Sequence, residues 1–483
     1  MFRNVRLRGS LAILLVSLLL LPGCSVNPAT GKQQLSLYSE EEEIQMGKES
    51  DEEVRTSIGL YDDPALQAYV EGLGKKLAAQ SERPNLPWHF AVVDDASVNA
   101  FALPGGYVYV TRGLLTHLGS EAELCGVLGH EIGHVTARHG VHEMSKQMLM
   151  MAGLGIAALA DPDLEDWAGL AYVGMSVLFL KYSRDDERQA DDLGLRYLTQ
   201  SGHDPRMMPE VFTVLAGVEK IEGAGRLPNW LSTHPDSGAR HDRIQKEVAA
   251  LPGDFSHAVV ERDGYVRRLD GLVFGENPRE GFFREGVFLH PDLRFRFEFP
   301  EGWETTNEKD AVSATDEGGN AMIQVSLSDK ASRDEAADAV FAEDKVEQGR
   351  SWDKKIHGLP ASWHNFEHKD EDTHLKGTVA FVEHGGQVYQ LMALATADAW
   401  ADQREAMENA LASFSRLDDP QALASRPNKL HVIKLKKAMT LEQFNKEYPS
   451  AIPMPNLALI NHCQPGETLE AGRLVKRVVA EKG

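Results

Sequence analysis

The chain is poor in cysteine and, for its acid content, poor in base. Three cysteines in 483 residues leave no disulfide framework and no paired-cysteine metal site. The 50 Lys+Arg are outnumbered by 73 Asp+Glu, giving a formal net charge of −23. An acidic balance repels phosphate and excludes a nucleic-acid-binding role. Only one long apolar run is present, which excludes a multi-span membrane protein. Internal repeats and low-complexity tracts are absent from the sequence. What remains is ordinary globular composition, 42% hydrophobic and 25% charged, with chain enough for about three domains and a sizeable core.

One apolar run lies at the start. Arg3, Arg6 and Arg8 precede Leu11 to Leu21, which is too short to span a bilayer comfortably. It ends in Leu21-Pro22-Gly23-Cys24. This order resembles a bacterial lipobox, although Pro22 is an unusual occupant. It predicts a signal peptide over 1–23 and lipidation of Cys24; a plain cleaved signal or an N-terminal anchor is the alternative. Ser25 after the cysteine, by similarity to enterobacterial lipoproteins, favours the outer membrane, so the expected location is the periplasm with a lipid tether. Polar residues follow, and 24–40 reads as the tether itself.

Helices are expected from Glu40, from Asp63-Pro64 to Leu77, over Glu121–His139 and over Glu187–Tyr197. Trp88 to Val93 reads as a strand. Asn99 to Leu103 and Tyr107 to Val110 read as a hairpin about Pro104-Gly105-Gly106. Met148–Ala160 and Trp167–Leu180 are apolar runs suited to buried helices or a lid. Composition shifts near Leu251-Pro252-Gly253. From 260 to 417 strand-like segments alternate with helices near 331–347 and 399–414. From Arg426 onward ten basic residues meet five acidic ones, a small tail apart from the acidic body.

The chemistry centres on His130-Glu131-Ile132-Gly133-His134. Residues four apart on a helix share a face, so both imidazoles can reach one Zn²⁺. Glu131 points beside that position and suits a general base. Gly126, Gly129 and Gly133 permit a close helix neighbour. On the acidic helix that follows, Glu187 can supply a third ligand. Asp191, one turn along, can accept a hydrogen bond from the far nitrogen of a ligand histidine.

These residues, with Asn27-Pro28-Ala29-Thr30-Gly31, Asn99 to Gly106, Ser183-Arg184 to Gly194 and Ser232-Thr233-His234-Pro235, resemble the HtpX-like and BepA-like zinc metallopeptidases, metallopeptidase family forty-eight, in their periplasmic lipoprotein branch. The resemblance covers residues 25 to about 250. It implies His130, His134 and Glu187 as ligands of one Zn²⁺ and Glu131 as the base. The membrane spans of the HtpX branch and the helical repeats of the BepA branch have no counterpart in this sequence.

His234 is a candidate donor to an oxyanion, a candidate fourth metal ligand that keeps the protein latent, or a structural histidine. Arg240 is a candidate partner for a substrate carboxylate or for the acidic helix, and a surface salt bridge is the equal alternative. Asn99, Ala100, Phe101 and Ala102 are expected to bind substrate as an added strand at a sheet edge. His139 and His142 read as surface residues and Cys125 as an inert buried thiol. The tail is similar to a LysM-type peptidoglycan-binding module without its Gly-Asp-Thr turn, so cell-wall binding and a plain packing role both stand.

The expected fold is mainly α with a small sheet, a zincin-like α+β peptidase domain over 41–252. An accessory α+β domain over 260–417 and a small LysM-like α+β module over 426–483 follow. The expected function is a zinc metalloendopeptidase acting on misfolded or misassembled envelope proteins. The rival is a chaperone-like assembly factor in which the zinc is structural.

Overall fold

The computed structural model describes residues 24–158, 181–222, 234, 237–342, 345–369 and 374–481. The expected signal peptide over 1–23 and most of the expected lid lie outside them. Among the described residues no helix is long and apolar enough to cross a membrane. The chain is mixed α+β and divides into two compact units.

The first unit comprises residues up to 55, Leu60–Phe274 and Lys429–Val479. It opens with an antiparallel pair, β1 (Cys24–Val26) and β2 (Gln33–Leu35). The expected polar tether is therefore a hairpin. Its turn is closed by the Asn27 side chain, whose Oδ1 accepts from the Ala29 and Thr30 amides at 2.9 and 3.2 Å, a local bond that asparagine is suited to make. Helices α1 (Glu40–Ser57) and α2 (Pro64–Ala78) follow. Asp63 caps α2 by accepting from Ala65 and Leu66 amides, and Pro64 takes the first turn, where no amide donor is needed.

A three-stranded sheet comes next, in the order β3 (His89–Val93), β5 (Tyr107–Thr111), β4 (Ala100–Leu103). β4 and β5 are the expected hairpin, antiparallel, while β3 runs parallel to β5. Gly105 in the turn has φ 77°, and a Cβ there would meet Ile44 Cα at 2.7 Å, so only glycine fits. After α3 (Arg112–His117), helix α4 (Glu121–Ala137) is capped by Ser120, which accepts from the Glu123 amide. Residues Ala122 to Ala137 are all buried, as in a helix enclosed on every side.

The helix expected to run to His139 stops at Ala137. Arg138 takes a left-handed conformation, φ 59°, and the chain turns into a new helix, α5 (His139–Ala158). Helix α6 (Arg184–Gln200) begins with a capping box in which Ser183 and Asp186 satisfy each other's amides. Helices α7 (Met208–Glu222), α8 (Ser237–Ala250) and α9 (Arg262–Arg268) complete this part.

The basic tail belongs to the same unit, contrary to the expected separate module over 426–483. Its order is strand, helix, helix, strand at Asn428–Lys434, Leu441–Glu447, Met454–Ile460 and Leu474–Ala480. The two strands form a sheet with β6 (Val273–Phe274), and the tail's Leu430, Phe444, Leu457 and Val475 join the core that contains Leu124 and Val127 of α4. Lys476 is 1% exposed and donates to the carbonyls of Thr116 and Leu118 at 2.9 and 2.8 Å. Lys476 is thus a buried tie to the C-terminal end of α3.

The second unit is centred on Gly275–Asn428. It holds a seven-stranded antiparallel sheet and a four-stranded one. The helix expected near 331–347 is shorter, Arg333–Phe341, and Val346–Asp353 is an edge strand. The helix expected at 399–414 is Trp400–Ala412.

Candidate metal centre

Two helices crossing at glycines build the site. A Cβ on Gly194 of α6 would lie 2.8 Å from His130 N, and one on Gly133 of α4 would lie 2.9 Å from Ala190 O. Bare backbone at these positions lets α4 and α6 approach closely. Glu187 sits seven residues before Gly194, two turns along and on the same face, so the same contact delivers its carboxylate to His130 and His134.

The donors converge. His130 Nε2 and His134 Nε2 are 3.1 Å apart. Glu187 Oε2 lies 3.6 Å from the first and Glu187 Oε1 lies 3.4 Å from the second. A tetrahedral ion with bonds of about 2.0–2.1 Å needs ligand atoms about 3.3–3.4 Å apart, and the three side chains bring their donor atoms to about that spacing. His234 Nδ1 is 3.4 Å from His130 Nε2 and 2.8 Å from Glu187 Oε1. The four residues offer donor atoms within 4.8 Å of one another, and all are buried. A buried set of two imidazoles, a carboxylate and a further imidazole suits Zn²⁺. Glu131, 1% exposed, has Oε1 3.8 Å from His234 Nε2.

Each ligand is held from behind. His130 Nδ1 donates to Asp191 Oδ1 at 3.0 Å, which leaves Nε2 bare toward the site. Arg240 grips Asp191 with two bonds, at 2.6 and 3.0 Å, and reaches Glu187 Oε2 at 2.6 Å. Arg243 adds a bond to Asp191 at 2.9 Å. Arg240 is buried and pairs with the acidic helix, which corrects the alternative of a surface salt bridge.

Burial pushes both carboxyls up, but the cations outweigh it. Arg240 and His130 hold Asp191 far below the usual carboxylate range, and His234 and Arg240 hold Glu187 well below it. Burial pushes His234 down, while Glu187 and Glu131 more than restore it. His130 is pushed down by burial against the pull of Asp191.

His139, read as a surface residue, is 1% exposed. Its Nδ1 is 3.0 Å from His134 Nδ1 and its Nε2 is 2.9 Å from Gln189 Oε1. Burial beside His134 pushes it down to about 4. The left-handed Arg138 explains the difference: a helix continued through 139 would point this imidazole elsewhere. Gln189 and Tyr182, whose ring lies 4.0 Å from that of His134, were equally unsignalled. His142 is half-buried, with Nδ1 2.8 Å from Leu35 O. Cys125 is buried, and burial pushes its thiol up, as an inert thiol requires.

The segment expected to take substrate lies beside this cluster. β4 is the outer strand of its sheet and carries Ala100, Phe101 and Ala102. Asn99 precedes it, donating from its amide to Thr111 Oγ1 at 3.1 Å. A small cavity joins Ala102 and Leu103 of β4 to His134, Val135 and Tyr182. The turn after β4 is fixed by Glu43, which accepts from the Gly105 amide, from Arg83 and from Arg138. The lid expected over this edge falls largely outside the described residues.

Residues 64–248 match Peptidase family M48. A putative beta-barrel assembly-enhancing protease of Vibrio cholerae serotype O1 is 34% identical over 194 residues, 38% of this chain and 39% of that one. The beta-barrel assembly-enhancing protease of Escherichia coli K12 is 31% identical over 247 residues, 47% of this chain and 50% of that one. The mitochondrial metalloendopeptidase OMA1 of Arabidopsis thaliana is 35% identical over 195 residues, 40% and 38% of the two chains. The chain spans about half the length, or less, of these curated relatives. The matched region contains all four clustered donors, Glu131, Asp191 and Arg240.

Proposed function

We propose that this chain, whose residues 64–248 are a metallopeptidase domain of family M48, is a zinc metalloendopeptidase tethered to a membrane through Cys24 and facing the periplasm. Its substrates in this reading are misfolded or misassembled envelope proteins. The observation that carries the catalytic part is the convergence of the His130, His134 and Glu187 side chains with Glu131 buried beside them.

When bound, Zn²⁺ supplies a Lewis acid for the scissile carbonyl and for water. The chain's own residues do the rest. Glu131 takes a proton from the attacking water and returns it to the leaving nitrogen. Asp191 and Arg240 hold His130 and Glu187 in place. The edge of β4, the outer strand of its sheet among the described residues, offers main-chain hydrogen bonds to an extended peptide without demanding a sequence. His234 donates to the oxyanion as it forms.

A second reading rests on His234 itself. Its contact with Glu187 at 2.8 Å suits a fourth ligand, which makes the site latent or structural and the protein a chaperone-like assembly factor. In either reading the C-terminal module offers peptidoglycan a binding surface, though its packing into the first unit equally supports a purely structural part. Envelope proteomics comparing wild type with Glu131→Gln separates the readings. A peptidase accumulates uncleaved proteins bound to the variant; an assembly factor gives identical proteomes.

A further inference from the structure

The hairpin at the N-terminal end of the described chain reaches the back of the metal centre through a chain of side chains. Asn27 is buried. Its Nδ2 donates to Gln34 Oε1 at 3.0 Å and to Gln189 Oε1 at 3.3 Å. Gln34 Nε2 donates in turn to Ala137 O, the last residue of α4, at 3.0 Å. Gln189 Oε1 also accepts from His139 Nε2 at 2.9 Å, and His139 Nδ1 faces His134 Nδ1 at 3.0 Å.

The polarity of this chain is set at its start. The Ala29 and Thr30 amides can only donate, so they fix the oxygen of the Asn27 carboxamide toward themselves. Its nitrogen then faces Gln189 as a donor. Gln189 must answer with its oxygen, which it turns to His139 as well. Gln189 Nε2 is buried with no partner among the described residues, so nothing at that end selects the orientation. His139 Nε2 therefore carries the hydrogen and Nδ1 is bare. A bare Nδ1 can only accept, so His134 Nδ1 donates and His134 Nε2 is left bare for a metal. Asp186 Oδ1, 3.5 Å from His139 Nε2, is too distant to set this by itself.

We propose that Asn27 is a positioning residue of the metal centre, acting through Gln189 and His139 to hold His134 in the tautomer that binds zinc. The segment that reads as a tether is then the outermost layer of the ligand shell. The proposal rests on the metal-site reading, and its test does not depend on peptide hydrolysis.

Zinc affinity of the purified full chain, measured by competition with a chromophoric chelator, tests it together with the absorption spectrum of the cobalt-substituted protein. Asn27→Asp keeps the oxygen that closes the turn and replaces the donor by an acceptor. Gln189 then turns its nitrogen to both neighbours, and His134 is driven to carry its hydrogen on Nε2. The expected result is zinc binding about 10–100-fold weaker, with an altered cobalt spectrum and unchanged circular dichroism. Gln189→Glu accepts on both sides and should retain wild-type affinity; Gln189→Leu, which leaves the hairpin intact, should lose it. Wild-type affinity and spectrum in Asn27→Asp overturn the proposal, whatever Gln189→Leu does. If Asn27→Asp does not fold, wild-type affinity in Gln189→Leu overturns it.

Discussion

The close crossing of α4 and α6 predicts an unusual cost for a single methyl group. A Cβ on Gly194 would stand 2.8 Å from His130 N and 3.0 Å from Gly129 C. Both are backbone atoms of a fully enclosed helix, so neither can swing aside, and α6 must move as a body. Overpacking of this kind costs about 1–3 kcal/mol, and rigid backbone contacts belong at the upper end. Alanine in a helix is otherwise favoured over glycine by about 1 kcal/mol, leaving Gly194→Ala destabilised by about 2 kcal/mol. Gly72, an exposed position in α2 with nothing within 4 Å of its would-be Cβ, is the control. Gly72→Ala gains the propensity alone and should be more stable than wild type by up to about 1 kcal/mol. Urea denaturation of the metal-free proteins gives the comparison, and about 3 kcal/mol should separate the two variants. Because Glu187 rides on the same helix, Gly194→Ala should also weaken zinc binding while Gly72→Ala does not. Equal stability in the two variants would refute the claim that bare backbone sets the helix spacing.

Other consequences follow from the same structure. His130→Ala and Glu187→Ala should each lose the single zinc per chain, read by elemental analysis; full occupancy in both would remove them from the ligand set. Burial pushes Lys476 down to about 7, so between there and the ordinary lysine value the unfolded chain binds more protons than the folded one. Stability should therefore rise with pH from about 7 toward about 10, with a slope of at most about 1.4 kcal/mol per pH unit, and urea melts of Lys476→Met should lack that rise. Cys24→Ser should free the protein from the membrane fraction or leave it unprocessed; normal processing with unchanged fractionation would dispose of the lipid tether.

Much of the site was legible because its signals are local and periodic. His130 and His134 are one helical turn apart, and so are Glu187 and Asp191, so each pair could be assigned a common face before any contact was known. The start of α2 at Asp63-Pro64 is likewise written in adjacent residues, whereas the acidic helix begins at Arg184, three residues before its expected start. His139 was not legible, because its placement depends on Arg138 adopting a left-handed conformation for which arginine has no preference. Asn27 and Gln189 escaped because a hydrogen-bond chain across 162 residues has no periodicity. The way the tail packs was not legible either. Its ten basic residues mark a local excess of charge, whereas Lys476 is buried against carbonyls that the sequence cannot place. The helix near 331–347 was drawn too long because acidic and alanine-rich stretches favour helix locally, while Val346–Asp353 is claimed by pairing with its neighbour at Ala361–Lys369.

The most direct measurement of the central claim is the rate of casein cleavage by zinc-loaded Glu131→Gln beside wild type, with zinc content and circular dichroism recorded on the same samples. The expected result is full zinc, an unchanged fold and hydrolysis lower by about 10²–10⁴-fold. Cleavage by the variant at the wild-type rate, or no cleavage by either protein with zinc in place, would contradict it.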